Sequence, residues 1–323
     1  MNNVKPNVFV SACLEFESCR FDGTMISDDV VRRMKDVVNF IRVCPELSIG
    51  LTAPREAVRL VKRKGEHQKL LGSVHGVDYT EKMENFTSKY LEKLLSRDID
   101  GFLLKAKSPT CGIGDVKVYQ DIGKAQLDSA RHDGMFGTAI KERFPDHPIE
   151  TERRISNYNI RESFFTHVFT MASFREMKHD FSYKKFVEFH TKNKYLFMSY
   201  NQAILKDLGQ ILANHEKLSH EEVLQKYETQ LRKLLHGESS KKRRINTLTH
   251  IYGYFKKDLT TEEKEYYFNA LDDYIDYRIP YSNVLYILKG FAVRFQEEYL
   301  LQQTVFQPFP KELLVVLDSG NKI

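Results

Sequence analysis

Asn7-Val8-Phe9-Val10-Ser11-Ala12-Cys13-Leu14 is an apolar run that closes on a cysteine. Its first five residues, with β-branched Val8 and Val10 around aromatic Phe9, read as a short buried strand. Downstream, Ser27-Asp28-Asp29 supplies helix-capping side chains, and Val30, Met34, Val37, Val38 and Ile41 follow at helical spacing. Ile41-Arg42-Val43 reads as a second strand, and residues 47–52 as a further short extended piece. Residues 80–96 form a helix whose apolar face holds Met83, Phe86, Tyr90, Leu91, Leu94 and Leu95. Asp100-Gly101 then leads into Phe102-Leu103-Leu104, a third strand, and residues 129–144 are helical around Gly134-Met135-Phe136-Gly137. This alternation predicts an α/β N-terminal domain with a parallel, Rossmann-like sheet and helices on both faces.

The second half changes character. Residues 181–213 are rich in aromatics and read as two helices. Residues 221–235 place Val223, Leu224, Tyr227, Leu231, Leu234 and Leu235 on one stripe. Thr260-Thr261-Glu262-Glu263 has the form of a helix start before residues 264–277. Val284, Leu288, Phe291, Ala292, Phe295 and Tyr299 make another stripe. An all-α helical domain follows from this pattern. The expected organisation is a first domain over 1–150, a connecting segment over 151–179 with charges and the nearby Pro145 and Pro148, and the helical domain over 180–323.

The chain of 323 residues is 41% hydrophobic and 29% charged, an ordinary globular composition that excludes disorder, collagen and coiled coil. No apolar stretch is long enough for a membrane span. The run from Val8 to Leu14 lacks a basic leader and a cleavage site, so a cytoplasmic location is expected. Net charge is +5, with +1 over residues 1–150 and +4 over 151–323. Neither value demands a nucleic acid partner. Lys241-Lys242-Arg243-Arg244 reads as a solvated basic loop, with an RNA or phosphate contact as the weaker reading. The scattered histidines of the second half show no HExxH, and no cysteine pair precedes His215 and His220.

All four cysteines, Cys13, Cys19, Cys44 and Cys111, fall in the first 111 residues. Cys13, Cys44 and Cys111 each follow a strand candidate. In an open parallel sheet, ligands bind beyond the carboxyl ends of the strands. Three thiols arriving there suit a soft metal centre. Three ligands with an open position suit a catalytic iron–sulfur cluster. Structural zinc and inert buried thiols stay open on spacing alone.

A resemblance narrows these choices. The first half resembles the TudS family of thiouracil desulfidases. It does so through Val10-Ser11-Ala12-Cys13-Leu14, Cys19-Arg20-Phe21-Asp22-Gly23 and Cys44-Pro45-Glu46. Gly50-Leu51-Thr52-Ala53-Pro54-Arg55-Glu56 and Lys107-Ser108-Pro109-Thr110-Cys111-Gly112 continue the match over about 1–150. The second half resembles the C-terminal domain of YbgA-type proteins, through Phe189-His190-Thr191-Lys192-Asn193-Lys194-Tyr195-Leu196-Phe197-Met198-Ser199 and the later Leu208-Gly209. The resemblance implies a [4Fe–4S] cluster on Cys13, Cys44 and Cys111, with Glu46 and Ser108 catalytic and Cys19 a spare thiol. Glu15-Phe16-Glu17 departs from the Leu-Gly pair usual in relatives, implying a bulkier and more acidic loop beside the cluster.

The expected activity is removal of sulfur, as hydrogen sulfide, from a thiolated pyrimidine base or nucleotide, by a hydrolytic route without electron transfer. The open iron would take the substrate sulfur. Glu46 serves as base or proton shuttle, and Ser108 orients water or the ring. Arg20 and Arg55 match a nucleotide phosphate, with Asp22 beside them. Equally, they form internal ion pairs with Asp22 or Glu56. Gly134 to Gly137 reads as a glycine-flanked helix entrance, or more weakly as a phosphate cradle. Two other classes remain: a different cluster- or metal-dependent lyase or sulfur-transfer enzyme, and a non-catalytic RNA-binding protein with structural cysteines. The role of the helical half and the oligomeric state are left open.

Overall fold

The computed structural model describes residues 4–314, which form two compact units. The first contains the described residues through Ala172 together with 310–314, and the second is Ser173–Phe309.

The first unit is built on a four-stranded sheet. β1 (Asn7–Ser11) is followed by α1 (Asp29–Met34), β2 (Asn39–Val43) and the one-turn helix α2 (Pro45–Ser48). Next come β3 (Val58–Val61), β4 (Lys69–Gly72), α3 (Thr80–Leu95) and β5 (Gly101–Leu104). β6 (Val118–Tyr119), α4 (Met135–Arg143) and β7 (Ile149–Thr151) complete it. α5 (Tyr158–His179) then carries the chain through the connecting stretch. The main sheet has the order β2-β1-β5-β7 and every pairing is parallel. Phe9 sits opposite Ile41 on one side and Phe102 on the other. From β1 the chain first adds a strand on one side and later adds β5 and β7 on the other. The carboxyl ends of β1 and β5 therefore flank a topological switch point, where such sheets open a crevice.

The core follows the sequence pattern. Phe9, Phe102, Phe136, Ile140, Leu91 and Leu94 are buried in one cluster. Phe9 packs against Phe102 and Phe136 at centroid separations of 5.6 and 5.7 Å. Asp28 caps α1, its side chain accepting from the Val31 N–H at 3.0 Å.

Several local expectations are corrected. Residues 47–52 are not extended: Pro45 at the first helical position starts α2, and Gly50, at φ +90°, turns the chain out of it. The helix expected over 129–144 starts only at Met135, because Gly134 is extended. A second, three-stranded sheet of order β4-β3-β6 was absent from the sequence reading. Its strands have four, four and two residues, too short for a period to show.

The second unit is helical: α6 (Tyr183–Lys192), α7 (Lys194–Tyr200), α8 (Gln202–Ala213), α9 (His220–His236), α10 (Lys241–Tyr252), α11 (Thr261–Ile275), α12 (Tyr281–Arg294) and α13 (Glu298–Leu301). Residues 181–213 hold three helices rather than two. Asn201 is extended and its side chain accepts from Ala203 N–H and Ile204 N–H, which starts α8 afresh. The basic run is not a loop: Lys241 to Arg244 form the first turn of α10, capped by Ser240. All six residues of the stripe over 221–235 are buried in α9. The Ser219–Glu222 and Thr260–Glu263 capping boxes start α9 and α11. No helix among the described residues is long and apolar enough to cross a membrane.

His190 is tied into this core, its Nδ1 2.9 Å from the Tyr227 hydroxyl. Burial, and then the Lys194 charge, pull its pKa from 6.5 to about 4. Between those values the unfolded chain takes up a proton that the folded chain refuses. Stability is therefore lost as pH falls from 6.5 towards 4. The melting temperature of wild type should drop across this window, and the drop should shrink in His190→Gln. Identical pH profiles for the two proteins would contradict the assignment.

Candidate functional site

The carboxyl ends of β1, β2 and β5 each lead to a cysteine. After β1, Ala12 N–H donates to Val43 O at 2.9 Å and Leu14 N–H to Ser11 O at 2.9 Å, turning the chain at Cys13. Cys44 is the residue before α2, and its carbonyl accepts from Ser48 N–H at 3.0 Å. Cys111 closes the loop after β5 and is buried. That loop is seated on the start of α4. Gly134 N–H donates to Gly112 O at 2.8 Å, and Gly137 N–H to Thr110 O at 3.0 Å. A Cβ on Gly134 would lie 2.5 Å from Thr110 O, and one on Gly137 2.7 Å from Gly112 O. The glycine-flanked entrance is thus explained by close backbone approach to the Cys111 loop.

The thiols interact in sequence. Cys19 neighbours both Cys13 and Cys44, and Cys44 Sγ lies 3.8 Å from Cys19 O. Interaction with Cys13, burial and the charge of Glu17 push the Cys19 thiol up to about 12. Contact with Cys19 and burial push Cys44 well above the ordinary thiol range. Burial pushes Cys111 up to about 12, and Glu46 and Cys44 add to this. Cys19, Cys44 and Cys111 are therefore neutral at pH 7 unless a cation draws off their protons, which is what a metal centre does.

Among the described residues, no three His, Cys, Asp or Glu side chains are gathered tightly enough to hold one metal ion. Three thiols brought by separate strands fit a multinuclear iron–sulfur centre. Its thiolates bind different irons and need not meet at one point. The donor set is soft throughout, as such a centre requires.

Beside the thiols lies a half-buried polar chain. Glu46, in the first turn of α2, pairs with Arg55; their side chains are 12% and 6% exposed. Arg55 Nε and Nη2 both contact Glu46 Oε2, the former at 3.1 Å. Arg55 Nη1 donates to Cys19 O at 3.0 Å and Thr52 O at 2.8 Å. The other carboxylate oxygen, Glu46 Oε1, accepts from the Thr110 hydroxyl at 2.9 Å. Thr110 Oγ1 is in turn 2.9 Å from Ser108 Oγ. Ser108 Oγ also accepts from Cys111 N–H at 3.1 Å and Thr110 N–H at 3.3 Å.

The structure thus brings Glu46, Ser108 and Arg55 together with Cys44 and Cys111. Arg20 and Asp22 stand outside this chain. They pair at 3.3 Å on the partly exposed turn after Cys19, and both also bond to Thr24. The internal partner of Arg55 is Glu46, not Asp22 or Glu56. Glu56 instead accepts from His75. Thr110 was missed in the sequence. The available signal was a second hydroxyl two residues after Ser108 in a tight Pro-containing turn.

The two acids of the departure after Cys13 differ in setting. Glu15 is buried in a left-handed conformation, φ +68°. Its carboxylate accepts from Arg32 at 3.0 Å, Asp28 N–H at 2.7 Å and Lys35 at 3.2 Å. Burial pushes this carboxyl up, but these bonds outweigh it and hold it at about 2. Its negative charge is answered by Arg32 and Lys35, so the acidity that the loop turns towards the thiols comes from Glu17, which helps to push the Cys19 thiol up.

Comparison with known proteins follows the same division. Residues 8–152 match the family model described as 2-thiouracil desulfurase. Residues 194–310 match that of a protein of unknown function, DUF1722. The chain is 29% identical over 111 residues to the uncharacterised protein YbbK of Bacillus subtilis (strain 168), covering 33% of this chain and 74% of the relative. It is 20% identical over 152 residues to the uncharacterised protein YbgA of Escherichia coli (strain K12), covering 46% and 90%. A solved structure, the [4Fe-4S]-dependent thiouracil desulfidase TudS, shares 25% identity at a TM-score of 0.39, over 49% of this chain and 99% of that one.

Arg55→Leu would leave the largely enclosed Glu46 carboxylate without its cationic partner. The expected cost is about 3 kcal/mol of folding stability, read by denaturant unfolding. Arg55→Lys should recover only part of it, because a lysine lacks the two-pronged contact. Wild-type stability in Arg55→Leu would show that the pair does not hold Glu46.

Proposed function

We propose that this protein is a [4Fe–4S]-dependent desulfidase acting on thiolated pyrimidines, either a free thiouracil or a 4-thiouridine nucleotide. The observation that carries the reading is the meeting, at one sheet edge, of three strand-end cysteines with the Glu46–Thr110–Ser108 chain. The family match over residues 8–152 supports it. Cys13, Cys44 and Cys111 would hold the cluster, and Cys19 would pack beside them. When bound, the cluster supplies an open iron, a soft Lewis acid for the sulfur of the C=S group.

The remaining work belongs to the chain. Water must replace sulfur on the ring carbon, and both of its hydrogens leave as hydrogen sulfide, so no electrons are transferred. Glu46 takes the proton from the attacking water and returns it to the departing sulfur. Arg55 holds that carboxylate in place through Oε2. Ser108, whose oxygen accepts from two backbone N–H groups, would orient the water or the ring. Arg55 already uses its donors on Glu46, Cys19 O and Thr52 O. Arg20, on the turn after Cys19, is therefore the better match for a nucleotide phosphate, with Asp22 and Thr24 as partners it can exchange. A cytoplasmic setting, where thiols stay reduced, suits this chemistry.

The test is production of hydrogen sulfide and uracil from thiouracil by anaerobically reconstituted protein. Glu46→Gln should keep wild-type iron content and lose roughly 10²- to 10⁴-fold in kcat. Undiminished turnover would remove Glu46 from the mechanism.

A further inference from the structure

We propose that Thr110 is a positioning residue for this reaction: its hydroxyl aims the Ser108 O–H at the Glu46 carboxylate and fixes the two groups in one hydrogen-bonded line. The inference rests on the desulfidase reading and adds to it a residue that the motif comparison did not single out.

The direction of the line follows from counting donors. A carboxylate paired with an arginine has lone pairs and no proton to give. The 2.9 Å contact between Thr110 Oγ1 and Glu46 Oε1 must therefore use the threonine proton. Cys111 Sγ, 3.8 Å from the same hydroxyl, is the weaker competitor for it. Thr110 has one O–H, so its 2.9 Å contact with Ser108 must be a donation from the serine. The two lone pairs of Ser108 Oγ already face the N–H groups of Cys111 and Thr110. In this arrangement the serine proton points towards Glu46 through Thr110.

The threonine is held as this role demands. It is 1% exposed. Its carbonyl accepts from Gly137 N–H at 3.0 Å, and Gly134 leaves no room between α4 and that carbonyl. With its backbone pinned, the hydroxyl has a defined place between the other two oxygens. Valine would fill the same space without the hydroxyl, and serine would restore the hydroxyl without the methyl group.

The experiment compares full-length, anaerobically reconstituted wild type, Thr110→Val and Thr110→Ser. Iron and acid-labile sulfide content, kcat and KM with thiouracil are measured on each. A further readout, independent of turnover, is the infrared carboxylate stretch of Glu46, assigned by difference against Glu46→Gln. Thr110→Val should keep its iron and its KM, lose roughly tenfold to a hundredfold in kcat, and show a shifted Glu46 band. Thr110→Ser should restore both kcat and the band. Wild-type kcat with an unshifted band in Thr110→Val would overturn the proposal, as would failure of the serine to restore them. Iron loss in Thr110→Val with an unshifted band would also overturn it, making Thr110 a support for the Cys111 loop alone. Absence of turnover in iron-replete wild type would sink the desulfidase reading itself. An active wild type with an unaffected Thr110→Val variant would remove only the role of Thr110.

Discussion

Parallel pairing of β1 with β2 on one side and β5 on the other is the constraint on which the site depends. Parallel strands end at the same edge, so whatever follows each of them is delivered to one place. Here Cys13, Cys44 and the Cys111 loop follow them. Antiparallel pairing of any one of these strands would send its cysteine to the opposite edge. The register matters as well as the direction. Ser11 aligns with Val43 at the ends of β1 and β2, and the Ser11 hydroxyl accepts from Lys105 N–H at 3.0 Å as β5 ends. Phe9, at the centre of the sheet, packs on Phe102 and Phe136 and so ties the sheet to α4. The start of α4 then supports the Cys111 loop through Gly134 and Gly137.

Electrostatics divides the site into two parts with opposite needs. Neutral thiols are easily buried, and burial keeps Cys44 and Cys111 protonated. Ligation reverses this, because a cation compensates each thiolate. Glu46 needs a partner from the outset, since an isolated buried carboxylate is costly. Arg55 supplies it on one oxygen and Thr110 supplies a hydrogen bond on the other. The carboxylate is thereby held beside the thiols without drawing on them for compensation. Glu15 shows the same logic on the neighbouring loop, where Arg32 and Lys35 absorb its charge.

Much of this was legible in the sequence, for physical reasons. Val8-Phe9-Val10 and Phe102-Leu103-Leu104 are apolar on both faces, as strands covered on both sides must be. The stripe from Val223 to Leu235 repeats often enough to reveal a helix. The second sheet was hidden because β6 has two residues and β3 reads only as Val-Arg-Leu-Val. The extended reading of residues 47–52 missed the helix-starting power of Pro45. For the site, the cysteine positions were visible as strand ends, while Glu46, Ser108 and the expected cluster came from family resemblance. The Arg55–Glu46 pair and the part played by Thr110 were not visible. The Thr110–Glu46 contact joins residues 64 apart in sequence, and the Arg55–Glu46 pair needs a tight fold between residues 46 and 55. The local pattern offered only the second hydroxyl beside Ser108, not its contact with Glu46.

The central claim is that Cys13, Cys44 and Cys111 form one iron–sulfur site. It is tested most directly by iron and acid-labile sulfide per chain after anaerobic reconstitution, in wild type and in Cys111→Ser. The account predicts near-stoichiometric four-iron occupancy in wild type and its loss in the variant. A well-folded wild type that takes up neither iron nor sulfide, or a Cys111→Ser variant that keeps full occupancy, would contradict it.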